Sequence, residues 1–138
     1  MLHPLCPDRL RKISGSFAFL EHRFLHDGFW ADLDQGPLLL YFFLVMVSDR
    51  WGLSYYSYDK ICTLLRISVD DYIEARNALI RKDLIAFDGR LFQVLSLPEK
   101  PRRSPAEPLK TDRQMEQNDP ATVRRIIAKA FGKDHGNG

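Results

Sequence analysis

Only two cysteines, Cys6 and Cys62, occur in 138 residues, far apart and in no CxxC spacing. That excludes a disulfide scaffold and a cysteine-built zinc site, and fits a reduced, intracellular protein. Long apolar runs are missing too. The most apolar stretch, Pro37 to Val47, has eleven residues, where a membrane-spanning helix needs about 20. Met1 to Pro7 holds His3, Pro4 and Pro7 and no continuous apolar core, so no secretion signal is expected and the cytoplasm is the expected compartment. There is no phosphate-binding glycine loop, no GxSxG elbow and no HExxH pair, so a non-enzymatic protein without cofactor is expected. His22 and His26 lie four apart but have no convincing third ligand, and Asp32 and Asp34 look like loop carboxylates, so no metal is expected either.

An excess of charge of one sign is likewise absent. The net charge is +2 over the whole chain. Up to Leu97 there are 11 Lys and Arg against 12 Asp and Glu, and from Pro98 onward 9 against 6. Nucleic-acid binding draws most of its affinity from phosphate neutralisation, so a near-neutral module needs its cations concentrated on one face.

What the chain does contain is an ordered series of local signals between Ser57 and Leu97. Ser57 is a good N-cap for a helix whose apolar positions Ile61, Leu64 and Leu65 share one face. Arg66-Ile67-Ser68 interrupts it, and Ser68 can cap a second helix from Val69 to about Lys82, with Asp71 completing a weak capping box. Tyr72, Ala75, Leu79 and Ile80 form the expected core face of that helix. Val69, Asp70, Asp71, Ile73, Glu74, Asn77 and Ala78 are then left toward the surface. Leu84 to Phe87 and Arg90 to Leu95 are β-prone runs joined by Asp88-Gly89, a two-residue hairpin signal. Leu53 to Tyr56 alternates well enough to supply a further strand.

Helix, short turn, helix and hairpin in this order make a winged helix-turn-helix. The run Ile67-Ser68-Val69 through Ala75, Leu79 and Leu84-Ile85 resembles the second half of bacterial winged helix-turn-helix domains, with Asp83 standing where glycine commonly closes the helix. The resemblance covers about residues 37 to 97. It is closest to accessory proteins of plasmids, phages and transposable elements, and implies a mainly α fold with a small antiparallel β-hairpin wing. It also implies a double-stranded DNA partner and a DNA-binding accessory or regulatory role, in replication or transposition of a mobile element. Arg50, Lys60, Arg66, Arg81, Lys82 and Arg90 could contact the backbone from the rim, and Asn77 could read adenine. The competing reading is a protein-interaction module on the same scaffold, because Asp70, Asp71 and Glu74, with Ile73, would repel phosphates and suit a basic partner.

The segments around this module are expected to play supporting parts. Pro37 to Val47 reads as a central helix wrapped by protein on most sides. A second subunit could supply part of the wrapping, which leaves homodimerisation open. Phe17, Phe19, Leu20, Phe24, Leu25, Phe29 and Trp30 offer apolar surface to the same core, so residues 1–97 are expected to form one domain. Pro98, Pro101, Pro105 and Pro108 stand in a polar stretch, 98–118, with no apolar periodicity, as in a disordered linker. In 119–138, Asp119-Pro120 opens a short amphipathic helix carrying Val123, Ile126, Ile127 and Phe131 on one face. A helix of about 12 residues is marginal alone in water. It must dock, on a partner protein or on its own core.

Overall fold

The computed structural model describes residues 2–101, 119–122 and 124–128. The chain is mainly helical, with a small three-stranded antiparallel sheet of order β1-β3-β2. After a 3-10 turn at Pro7–Arg9 come α1 (Arg23–His26), α2 (Gln35–Val47), β1 (Leu53–Ser54), α3 (Tyr58–Leu65), α4 (Val69–Arg81), β2 (Ile85–Phe87) and β3 (Phe92–Val94). Residues 120–122 and 124–128 are helical as well. Among the described residues no helix is long and apolar enough to cross a membrane.

Local chemistry accounts for the helix boundaries. Ser57 Oγ accepts from the Lys60 amide at 3.4 Å and Ser68 Oγ from the Asp71 amide at 3.0 Å, satisfying N–H groups that the first turns of α3 and α4 leave open. Between the two helices the chain reverses through one left-handed residue, Arg66 (φ 58°, ψ 48°), and the Ile67 amide closes onto Cys62 O. α4 ends in a Schellman closure, in which Asp83 N–H donates to Ile80 O and Leu84 N–H to Leu79 O, each at 3.0 Å. Asp83 takes φ 62° there. A short polar side chain tolerates that conformation better than most, which is how this chain manages without glycine.

Packing revises several expectations. α2 lies chiefly against α4, with Leu40 and Leu44 fully buried, yet Leu39 and Met46 are 43% and 74% exposed, so the apolar helix keeps one open side. The buried face of α4 comprises Tyr72, Ile73, Ala75, Arg76 and Leu79, because α2, α3 and β2 all pack on this helix. Ile73 is therefore a core residue, and the exposed docking position expected for it is corrected. In α3, Ile61 is buried while Leu64 is exposed. Of the N-terminal aromatics, Phe24 and Phe29 enter the core, and Phe24 stacks on Tyr41 at 4.7 Å. Phe17, Phe19, Leu20 and Leu25 remain exposed, and α1, only four residues long, buries Phe24 alone.

Long-range staples close the arrangement. Arg23 donates to the carbonyls of Leu97 and Pro98 at 3.0 Å each, tying the N-terminal segment to the chain leaving the sheet. Pro98 and Glu99, at the start of the expected linker, are thus tied to Arg23, while 102–118 lie outside the described residues. Lys82 Nζ meets Asp32 Oδ2 at 2.7 Å and fixes the end of α4 to the loop before α2.

Candidate nucleic-acid interface

The β2–β3 turn is shifted by one residue from the expected Asp88-Gly89. Phe87 pairs with Phe92, and Asp88 N–H donates to Leu91 O at 3.3 Å, leaving Gly89 and Arg90 at the tip. Gly89 supplies the positive φ, 105°. Asp88 Oδ1 then accepts from the amides of Arg90 (2.9 Å) and Leu91 (2.7 Å). Those two amide bonds hold its carboxyl below the usual carboxylate range. The turn is therefore built around a carboxylate, and it presents the Arg90 side chain to solvent.

Facing this tip is the loop that joins β1 to α3. Tyr55 and Tyr56 from the loop and Tyr58 from the start of α3, with Tyr72 and Phe87, line a cleft of about 370 Å³. Gly89 and Arg90 border it on one side and Asp119 with Pro120 on another. Cations stand on most of these rings. Lys60 Nζ lies 5.8 Å from the Tyr56 centroid, Arg124 Cζ 5.8 Å from Tyr58, and Arg76 Cζ 5.4 Å from Tyr72 and 5.2 Å from Phe87. Burial pushes the Tyr72 phenol well above its ordinary pKa, with the Arg76 charge opposing the shift.

Arg76, which no sequence motif marked as functional, organises one end of the cleft. Its guanidinium pairs with the carboxylate of Asp119, both side chains being 1% exposed, and also donates to Thr122 Oγ1 at 3.4 Å and to Asn77 Oδ1. Asp119 in turn accepts from the amides of Ala121 and Thr122 at 3.3 Å, acting as the N-cap of the last helix. Ala121 is completely buried. The start of the C-terminal helix therefore docks on its own domain. Ile126 and Ile127 remain 55% and 49% exposed, and Val123 and Phe131 lie outside the described residues. The signal for this contact was an arginine at a core position, four residues after Tyr72 and three before Leu79, with a capping aspartate far downstream.

The structure sorts the expected DNA contacts into two groups. Lys82 is half-buried and paired to Asp32, and Asn77 accepts from Arg76 Nε at 3.3 Å, so both are engaged within the domain. Arg50, Lys60, Arg66, Arg81 and Arg90 are exposed, and none makes an ion pair among the described residues. Arg50 sits over the Trp51 ring at 4.7 Å. Arg66 and Arg81 flank the two ends of α4, roughly 20 Å apart by helix rise. Arg90 lines the tyrosine cleft, and Lys60 lies over Tyr56, one of its lining rings. Asp70, Asp71 and Glu74 are exposed along α4, also without ion pairs among the described residues. His22 and His26 are exposed at α1, and no group of three or more His, Cys, Asp or Glu among the described residues is placed to hold a metal.

Comparison with protein families, with characterised proteins and with solved structures finds no match to this chain.

Proposed function

We propose that this chain is a DNA-binding accessory or regulatory protein on a winged-helix scaffold, serving replication or transposition of a mobile element. The observation that carries the reading is the division among its cations. Arg23, Arg76, Lys82 and Arg124 are paired with carboxylates, whereas Arg50, Lys60, Arg66, Arg81 and Arg90 stand exposed at helix ends, loops and the hairpin tip. Helix ends and hairpin tips are where such a scaffold meets phosphates, and contacts of this kind position a protein on the duplex without reading sequence. The acidic face of α4 argues for contact from the rim, not for deep insertion of the first turn into the groove.

The test is a salt series of binding to random-sequence duplex, followed by fluorescence anisotropy on the full chain. Each cation that neutralises a phosphate adds about −0.9 to the slope of log affinity against log salt. R66A and R90A should each reduce that slope by about 1. No binding at about 50 mM salt would end the DNA reading.

Exposure of Asp70, Asp71 and Glu74 supports a second reading, in which α4 docks a basic protein and the outer face of the C-terminal helix, Ile126 and Ile127, engages a partner. D70A/D71A separates the two. It should tighten DNA binding if α4 lies against phosphates and abolish partner capture if the acidic face is the docking surface.

A further inference from the structure

We infer that the tyrosine cleft beside the hairpin tip binds single-stranded nucleic acid, with a base stacked on Tyr55 and its phosphate held by Arg90. Among the cleft aromatics, Tyr56, Tyr58, Tyr72 and Phe87 already carry a cation within 5.8 Å of the ring. Tyr55 differs. The residue is 68% exposed, and its ring has neither a cation nor another ring against it among the described residues. Such a surface suits a flat π-system, and every base has one whatever the sequence.

Charge selects an anionic ligand. Arg90 borders the cleft and makes no ion pair among the described residues, and Lys60 Nζ lies 5.8 Å from the ring of Tyr56, one of the lining residues. The neighbouring carboxylates have partners: Asp59 meets Arg124 at 3.2 Å, Asp119 is paired with Arg76, and Asp88 Oδ1 accepts two backbone amides. A free cation next to a free aromatic face is the elementary unit of sequence-tolerant single-strand binding. A duplex keeps its bases stacked and offers none to Tyr55. The site therefore shares Arg90 with the proposed rim contact to duplex phosphates, and Tyr55 is the residue that only a single strand engages.

Full-length protein titrated into a fluorescent oligothymidylate of about 12 nucleotides provides the test, with a mixed-sequence duplex and a proline-rich peptide as parallel probes. Y55A and R90A should each weaken oligothymidylate binding about tenfold, Y55W should retain it, and Y55A should leave duplex binding unchanged. Tyr55 and Arg90 are exposed, so matching thermal melts are expected and R90A gives an independent answer if Y55A melts early. Failure of the wild-type chain to bind the oligothymidylate at about 50 mM salt would overturn the proposal. So would equal binding by Y55A, or occupancy of the cleft by the proline-rich peptide alone. If duplex binding persists after any of these results, the rim reading survives and only the cleft is lost.

Discussion

Arg76 and Asp119 stand 43 residues apart in the chain and form an ion pair in which each side chain is 1% exposed. The pair joins the middle of α4 to the first turn of the C-terminal helix. The Arg76 guanidinium also lies over the rings of Tyr72 and Phe87, so the charge is held by a carboxylate at its end and by aromatic faces on its sides.

Removing one partner leaves the other buried without compensation. D119A should therefore destabilise the chain by about 3–5 kcal/mol, read as a shift of the urea midpoint. R76L/D119A, which removes both charges, should recover a large part of that loss. Additive losses in the double variant would show that the two side chains do not act as a pair.

Gly52 precedes β1 with φ 84°, and a Cβ at that position would come within 2.5 Å of Val94 O. Gly52 O also accepts the Val94 amide at 2.8 Å, so neither backbone can retreat without breaking the sheet edge. G52A should cost at least about 1–2 kcal/mol from the left-handed conformation alone. An unchanged melting temperature would refute this.

The lowered carboxyl of Asp88 makes the hairpin tip sensitive to acid. Because the folded-state value is depressed, the stabilisation is fully present above the unfolded value of about 3.9 and disappears as pH falls through the lower folded value. The group is exposed, so the effect on global stability should be small. Amide hydrogen exchange at Arg90 and Leu91 should accelerate relative to other hairpin amides as pH falls below about 4. D88A should abolish that pH dependence.

The two thiols should differ in reactivity. Cys6 is exposed, whereas Cys62 is half-buried, donates to Ser68 O at 3.7 Å, and has its pKa pushed up first by burial and then by Asp59. Fewer thiolates at neutral pH mean slower alkylation. Peptide mapping after brief treatment with iodoacetamide should find Cys6 modified about tenfold faster. Equal rates would contradict the described packing of α3 on the α3–α4 turn.

Much of this architecture was legible because it rests on short-range chemistry. Ser57 and Ser68 cap the helices they precede, Asp119 caps the last one, and the β-prone runs on either side of Asp88-Gly89 pair as a hairpin. In each case the partner lies within a few residues. Periodicity was less reliable on α4. A stripe of Tyr72, Ala75 and Leu79 is visible from spacing, but the width of the buried face depends on how many elements surround the helix, and only the assembled domain reveals that Ile73 and Arg76 belong to it.

The site divides along the same line. Sequence alone marked Arg90 as a rim cation next to the Asp88-Gly89 turn and Asp70, Asp71 and Glu74 as an exposed acidic run, since each follows from an element's own geometry. Tertiary structure decided which cations are spent, by pairing Lys82 with Asp32 and Arg76 with Asp119. It also decided that Tyr55, Tyr56 and Tyr58 meet Phe87 and Arg90 around one cleft. The physical reason is range: capping and turn formation are settled by neighbours along the chain, whereas ion pairs and clefts depend on approaches that exist only after the core has closed.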